Sequence, residues 1–162
     1  MGYKGKIAMV SGKDVLKYFS IFVILLILDI TWIGINLSRY QELVRKVQNS
    51  DLNLNFTGAT ISYAIIYLAL IGFAIPHSDK AVNNDEGSKL WISFRHGGML
   101  GFCIYGIYDF TNLSIFTNYD PVISIIDTCW GTTLFTLVTY CSIIFFPVEV
   151  RNDPSAFYLA KP

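Results

Sequence analysis

Long apolar runs separated by short polar stretches dominate the chain. A helix needs roughly 20 mostly apolar residues to cross the hydrocarbon core of a bilayer. Four runs approach that length, at about 17–38, 57–75, 90–110 and 122–146. The third run is the weakest, because Arg95, His96 and Asp109 interrupt it. None of the runs alternates cleanly between apolar and polar residues, as a membrane strand would. The pattern therefore predicts an all-α integral membrane bundle of four transmembrane helices.

Polar connections separate the four predicted spans. Pro76 and Pro147 follow the second and fourth spans, and we expect them to end those helices. We expect the segment 76–89 to be a turn-rich loop. After the first span, an amphipathic stripe fits either a short surface helix or an extension of that span. The stripe consists of four residues at helical spacing: Tyr40, Leu43, Val44 and Val47.

Composition supports residence in a membrane. Hydrophobic residues make up 53% of the 162 residues and charged residues 15%, whereas about 25% charged residues is usual in soluble domains. This balance excludes a disordered chain and disfavours a soluble globular domain. Lysine and arginine together number 12, as do aspartate and glutamate. Without a basic excess, nucleic acid is not expected as a partner.

Basic residues predict the orientation. With four spans, the two termini and the loop between the second and third spans share one side, which holds eight Lys or Arg residues, against three on the other side. The positive-inside rule then puts both termini in the cytoplasm. We therefore divide the chain into a cytoplasmic segment 1–14, a transmembrane domain 15–147 and a cytoplasmic tail 148–162.

Three acidic residues lie inside the predicted spans. A carboxylate in hydrocarbon is costly, so such residues usually face the bundle interior and are candidates for function. On the helix rise of about 1.5 Å per residue, Asp29 lies about 18 Å from Lys17 and about 15 Å from Arg39. Asp109 and Asp127 lie near the outer ends of the third and fourth spans. All three therefore belong to the non-cytoplasmic half or the midplane.

No deep basic residue is available to pair with these acids. Arg95 precedes Asp109 by about 21 Å on a straight helix, which is too far for an ion pair. The acids must therefore be protonated, hydrogen-bonded, solvated or bound to a cation. Polar residues at helical spacing extend the candidate set, and one face of the third span is expected to carry Arg95, Gly98, Phe102, Tyr105, Asp109 and Asn112. The candidate residues for binding a ligand or cation are Asp29, Trp32, Asn36, Tyr105, Asp109, Asn112, Asp127 and Trp130.

The competing interpretation is that these polar groups only hold helices together. For Asp109, near the end of its span, we favour such a tie or a helix cap. Small residues predict close helix packing at Gly97, Gly98, Gly101 and Gly131. The sequence has no phosphate loop, nucleophile elbow or zinc-protease motif. We therefore predict no metal and no cofactor.

Three strings occur together in the spans: D-I-T-W-I-G (29–34), Y-G-I-Y-D-F-T-N-L (105–113) and D-T-C-W-G (127–131). In this order and spacing the chain resembles a family of small polytopic membrane proteins, domain of unknown function 2177, over roughly 17–146. Ile33 and Phe110 stand where that family has leucine. The resemblance implies four helices and membrane residence, and it implies no established activity.

Three functions remain open from the sequence. The leading hypothesis is an outward-facing pocket that binds a proton, a cation or a polar lipid head group. The second is a structural subunit of a larger assembly, such as a viral envelope or a respiratory-type complex. The third is a membrane-embedded lipid-modifying enzyme with paired carboxylates as acid and base. The expected partners are the lipid bilayer and either further copies of the chain or a larger membrane complex.

Overall fold

Four helices form the part of the protein that the computed structural model describes, residues 12–147. They are α1 (Gly12–Gln48), α2 (Phe56–Asn83), α3 (89–115) and α4 (Pro121–Phe145). No strand occurs within 12–147. The all-α prediction is therefore confirmed. The predicted cytoplasmic segments lie outside the described residues, except that the helix α1 already begins at Gly12.

Three of the four helices, α1, α2 and α4, are long and apolar enough to cross a membrane. The weakest predicted span corresponds to α3, whose regular part, Met99–Ile115, has 17 residues. Large apolar side chains, among them Ile35, Ile65 and Ile107, are exposed on the bundle surface. Such a surface suits lipid, because hydrocarbon tails solvate it at no cost in hydrogen bonds.

Polar side chains fix three of the helix starts. Asn55 accepts a hydrogen bond from the amide of Gly58 (3.0 Å) and caps α2. Ser88 caps α3 in the same way, and Asp120 caps α4 at the amide of Val122 (2.8 Å). Each cap satisfies an amide that lacks a partner inside its helix. Each of these three helices therefore begins at a capping residue that ends a short loop.

The amphipathic stripe after the first span is part of α1. The helix continues without a break to Gln48 and stops at Asn49, whose positive φ of 55° ends it. The structure thus has the extension and not a separate surface helix. Tyr40, Leu43 and Val47 face the cavity described below, which gives this stripe a burial partner inside the protein.

Pro76 does not end the helix of the second span, so the prediction that this helix stops there is wrong. The helix α2 continues to Asn83, and the loop shrinks from the predicted 76–89 to 84–88. A π-turn at Leu70–Ala74 lies directly before the proline. The wider π-helical turn lets the helix continue although the backbone nitrogen of proline cannot donate a hydrogen bond. The fourth span behaves as predicted and ends at Phe145, two residues before Pro147.

The central helix of the bundle is α4. Half of its most apolar stretch is buried, against 17% in α1 and α2. It packs with α1 and α2 around one hydrophobic cluster, which contains Ile21, Leu25, Leu70, Ala74, Ile75, Leu134, Phe135 and Val138. Burial of this cluster joins three helices, and α3 packs against it with Leu100 and Ile104.

Glycines form the contact between α3 and α4. A methyl group added at Gly101 would lie 2.2 Å from the carbonyl oxygen of Gly131, and one added at Gly131 would lie 2.2 Å from the ring of Tyr105. A methyl group added at Gly97 would lie 2.3 Å from the hydroxyl oxygen of Thr139, and one added at Gly98 would lie 2.5 Å from that of Thr136. The four glycines singled out in the sequence therefore all lie where the two helix backbones touch.

Ion pairs tie the helix ends on the side predicted to be cytoplasmic. Lys17 of α1 donates to Asp79 of α2 (2.7 Å), and both side chains are largely buried. Arg95 pairs with Glu86 in the short loop. This hydrogen bond holds the pKa of Glu86 below its usual range. Arg95 therefore pairs with an acidic residue of the loop and not with the acidic residues deeper in the bundle.

Candidate functional site

Two of the three intramembrane acids line one cavity. It has a volume of about 550 Å³, and α1, α3, α4 and the segment after α1 form its walls. Apolar residues of the amphipathic stripe close one side. Its polar lining includes Asp29, Trp32, Tyr40, Tyr105, Asp127 and Trp130.

Asp29 accepts hydrogen bonds from two side chains of other helices. Tyr63 of α2 donates its hydroxyl to Oδ2 (2.8 Å), and Trp130 of α4 donates its indole N–H to Oδ1 (2.8 Å). Asp29 is only 5% exposed. A buried carboxylate needs such donors, because an unpaired one would be strongly disfavoured. Asp29 consequently ties three helices together.

Asp127 is the acceptor of a second set of donors, both from α1. The hydroxyl of Tyr40 donates to Oδ1, and the indole N–H of Trp32 lies 3.5 Å from the same oxygen. Trp32 also donates to the hydroxyl oxygen of Tyr40 (3.1 Å). Both donors reach Oδ1. Among residues 12–147 no side chain or amide donates to Oδ2 of Asp127, so the acceptor capacity of this oxygen is unused.

The two D-x-x-W motifs interlock. The Asp of each motif lies beside the Trp of the other, since Asp29 accepts from Trp130 and Asp127 lies beside Trp32. The earlier residue of the α1 motif contacts the later residue of the α4 motif, and the reverse holds for the other pair, so the two helices are antiparallel. On antiparallel helices, two side chains spaced i, i+3 can meet an equivalent pair in reverse order. The two indole rings stack on each other, with centroids 4.5 Å apart and planes inclined by 5°.

Of three further predicted site residues, two line the cavity and one does not. Tyr105 and Asn112 line the cavity. Asn36 does not; it is buried against its own helix, donates to the Trp32 carbonyl (3.1 Å) and accepts from Arg39 (3.4 Å). Its short side chain bonds back along α1 and therefore does not reach the other polar groups.

Asp109 is completely buried and does not line the cavity, although its partner Tyr119 does. Its Oδ1 accepts the hydroxyl of Tyr119 (3.1 Å), in the loop before α4. Its Oδ2 has no hydrogen-bond partner among the described residues. These contacts fit the interpretation of Asp109 as a structural tie, although the residue is more deeply buried than its place near the helix end indicates.

The predicted face of α3 is wrong in part. Phe102 is 50% exposed, whereas Gly98 and Asp109 are buried. A π-turn at Phe94–Gly98 places an extra residue in the helix and rotates the residues before it relative to those after it. Arg95 thus leaves the face that carries Tyr105 and points its charge to Glu86.

Two important residues are missing from the sequence-based set: Tyr40 and Tyr63, which supply the hydroxyl donors of the two carboxylates. Tyr40 belongs to the amphipathic stripe, so its helical spacing was a usable signal. Tyr63 lies in a charge-free apolar span, where a single tyrosine gives no indication of its partner.

The electrostatic character of the cavity is acidic. Its two carboxylates are held by neutral hydroxyl and indole donors, and no Lys or Arg of the described chain lines it. A carboxylate offers about four acceptor positions, and neither Asp29 nor Asp127 uses all of them. Within 12–147 no three His, Cys, Asp or Glu residues are grouped as a metal site would require. The arrangement can therefore accept hydrogen bonds from a cationic or neutral donor, and it would repel an anion.

Comparison with known proteins identifies one family. A family model described as "Predicted membrane protein (DUF2177)" matches residues 14–144. No curated protein and no solved structure matches the chain. The matched segment runs from the start of α1 almost to the end of α4 and includes every cavity residue discussed above. The chain belongs to this family of predicted membrane proteins.

Proposed function

We propose that this membrane protein binds a cationic ligand in the cavity between α1, α3 and α4. In this proposal Asp29 and Asp127 supply the negative charge and the hydrogen-bond acceptors. The observation that carries it is the pair of carboxylates on one cavity without a lining Lys or Arg. A proton, a small cation or an organic ammonium group would each compensate that charge.

Burial makes such compensation valuable. A charge interaction is much stronger in the low-dielectric interior than in water, and an uncompensated buried carboxylate is costly. The two donors on Asp29 are neutral, so they lower that cost without cancelling the charge. A bound cation would do both, and the unused Oδ2 of Asp127 provides a free acceptor for it.

The aromatic residues act in this proposal as positioning residues. Tyr63 and Trp130 fix both oxygens of Asp29, and Tyr40 fixes one oxygen of Asp127. The indole stack links the two carboxylates. A rigid arrangement of this kind reduces the ordering that binding would otherwise require.

Intrinsic fluorescence offers a direct test, because the only tryptophan outside the stack is Trp91. In a Trp91→Phe background, the two indoles beside the carboxylates supply all of the tryptophan emission, which excitation beyond the tyrosine absorption band selects. We expect methylammonium to change this emission saturably at neutral pH in nanodiscs. Binding should weaken as the pH falls, because a protonated carboxyl group lacks the charge that attracts the cation.

Matched variants separate binding from bulk effects. Asp29→Asn combined with Asp127→Asn should weaken methylammonium binding at least tenfold, whereas Asp109→Asn should bind normally because Asp109 does not line the cavity. Circular dichroism confirms that each variant is folded. A wild-type protein without a saturable response, or a folded double variant with the wild-type response, would contradict the proposal.

A structural role has its own support in the same contacts. The interlocked D-x-x-W motifs join α1 to α4, and Tyr63 adds α2. Polar contacts of this kind commonly hold membrane helices together. Both roles use the same side chains, but only the binding role needs the negative charge. Asparagine variants keep much of the hydrogen bonding and therefore distinguish the two.

A further inference from the structure

We infer that the cationic ligand is the head of a membrane lipid that carries a primary ammonium group, with one acyl chain in a groove between α1 and α2. This inference rests on the proposed function and adds the class of ligand. It starts from a second, larger concavity that adjoins the acidic cavity. The two features together have the shape and polarity of an amphiphile.

The groove between α1 and α2 has a volume of about 1130 Å³. Along α1 it runs from Val15 to Ile33, and along α2 from Phe56 to Tyr67. At about 1.5 Å per residue, its α1 wall is about 27 Å long, which exceeds the depth of roughly 15 Å that one leaflet contributes to a hydrocarbon core of about 30 Å. An acyl chain therefore fits along it without leaving the groove.

Three of the four polar side chains in this groove are already engaged inside the protein, and the fourth, Tyr18, lies near the end of the groove at Val15. Tyr63 donates to Asp29 (2.8 Å), Tyr67 donates to the carbonyl of Tyr18 (3.0 Å), and Thr60 donates to the carbonyl of Phe56 (2.8 Å). The remaining wall is almost entirely aliphatic or aromatic. Apart from the hydroxyl of Tyr18, a polar occupant would find no unengaged side-chain partner there, so the groove favours hydrocarbon.

The groove and the acidic cavity meet. Ile33 and Leu54 line both of them. Tyr63 stands in the groove, yet its hydroxyl reaches Asp29 in the cavity. A molecule with a hydrocarbon chain in the groove would therefore have its head beside the two carboxylates.

Hydrogen bonding selects the kind of ammonium. A primary ammonium has three N–H donors, which match the unused acceptor positions of the carboxylates. A quaternary ammonium has no N–H donor and is bound through aromatic faces, so it would leave the unused acceptor positions of the carboxylates without a hydrogen bond. The side-chain amides of Gln48 and Asn112 also line the cavity and offer donors to a phosphodiester beyond the amine.

The test uses the full-length protein in nanodiscs that contain equal amounts of phosphatidylethanolamine, phosphatidylcholine and phosphatidylglycerol with the same acyl chains. Native mass spectrometry then identifies the lipids that stay bound on release from the disc. We expect phosphatidylethanolamine to be retained at least fivefold over the other two lipids. Asp29→Asn with Asp127→Asn should abolish that preference.

A groove variant tests the site of the acyl chain. Ala64→Phe fills the groove and should reduce lipid retention at least fivefold, while methylammonium still changes the indole fluorescence. Ile65→Phe is the matched control, because Ile65 is exposed beside the groove and lines no part of it. Equal lipid retention in Ala64→Phe and wild type would overturn the assignment of the groove.

The outcomes separate this inference from the proposed function. Methylammonium binding without a phosphatidylethanolamine preference would overturn the lipid assignment and leave cation binding standing. Preferential retention of phosphatidylcholine would point to a quaternary ammonium, and retention of phosphatidylglycerol to an anion site; either result would overturn the inference. If neither methylammonium nor phosphatidylethanolamine binds, both proposals fall.

Discussion

Gly101→Ala is expected to destabilise the bundle strongly. The added methyl group would lie 2.2 Å from the carbonyl oxygen and 2.8 Å from the carbonyl carbon of Gly131. These are backbone atoms of α4, which cannot rotate aside as a side chain can. Overpacking typically costs about 1–3 kcal/mol, and we expect the loss in free energy of unfolding to lie at the upper end of that range. The reason is that the clash can be relieved only by moving α3 away from α4, which would also loosen the packing of Leu100 and Ile104 against the hydrophobic cluster.

The measurement is thermal unfolding in detergent micelles, followed by intrinsic fluorescence and circular dichroism. Gly34→Ala is the matched control, because nothing lies within 4 Å of the added methyl group. Alanine is favoured over glycine in a helix by up to about 1 kcal/mol, so this variant should be neutral or slightly stabilised. Equal melting temperatures for Gly101→Ala and Gly34→Ala would show that α3 and α4 do not touch at Gly101.

Asp29→Leu is expected to have the second large effect on stability. Leucine removes the acceptor for Tyr63 and Trp130, which belong to two different helices. A buried donor left without an acceptor costs about 1–3 kcal/mol. Because both donors are only half-buried, we expect a total loss of about 2–4 kcal/mol. Asp29→Asn keeps an acceptor oxygen and should lose less than half as much.

A double-mutant cycle isolates the contact between the interlocked motifs. Trp130→Phe removes the indole N–H while keeping an aromatic ring, so its loss should not add fully to that of Asp29→Leu. Tyr108→Phe provides a control for removing a polar group that also lines the cavity but donates to neither carboxylate. Full additivity of the first pair, or equal stability of the leucine and asparagine variants, would contradict the hydrogen bond between Asp29 and Trp130.

Apolar length allowed the fold to be predicted from sequence, because membrane helices must satisfy their own backbone and be about 20 residues long. The helix limits were harder. Pro76 looked like a terminator, but a π-turn before it allows α2 to continue to Asn83. Local rules treat proline as a stop, whereas continued packing of Ser78 and Ala81 against the bundle stabilises the longer helix.

Part of the candidate site was also predictable. The costly acids and the i, i+3 spacing put Asp29 with Trp32 and Asp127 with Trp130, each pair on one helix face. The exchange of partners between the two pairs depends on the level at which α1 and α4 cross, and no single helix encodes that. The contact of Tyr63 with Asp29 and the π-helical turn in α3 were also not predictable, because both depend on packing between helices that are distant in sequence.

The central claim is that Asp29 and Asp127 together bind a cation, and solid-state nuclear magnetic resonance measures this contact directly. The protein would carry ¹³C in its aspartate carboxyl groups and would be reconstituted in bilayers with ¹⁵N-methylammonium. A hydrogen-bonded ammonium would place the nitrogen roughly 3.5 Å from each carboxyl carbon. We expect carbon–nitrogen dephasing at that distance for Asp29 and Asp127, and its loss in the double asparagine variant. Dephasing absent from both residues, in protein that remains folded, would contradict the account.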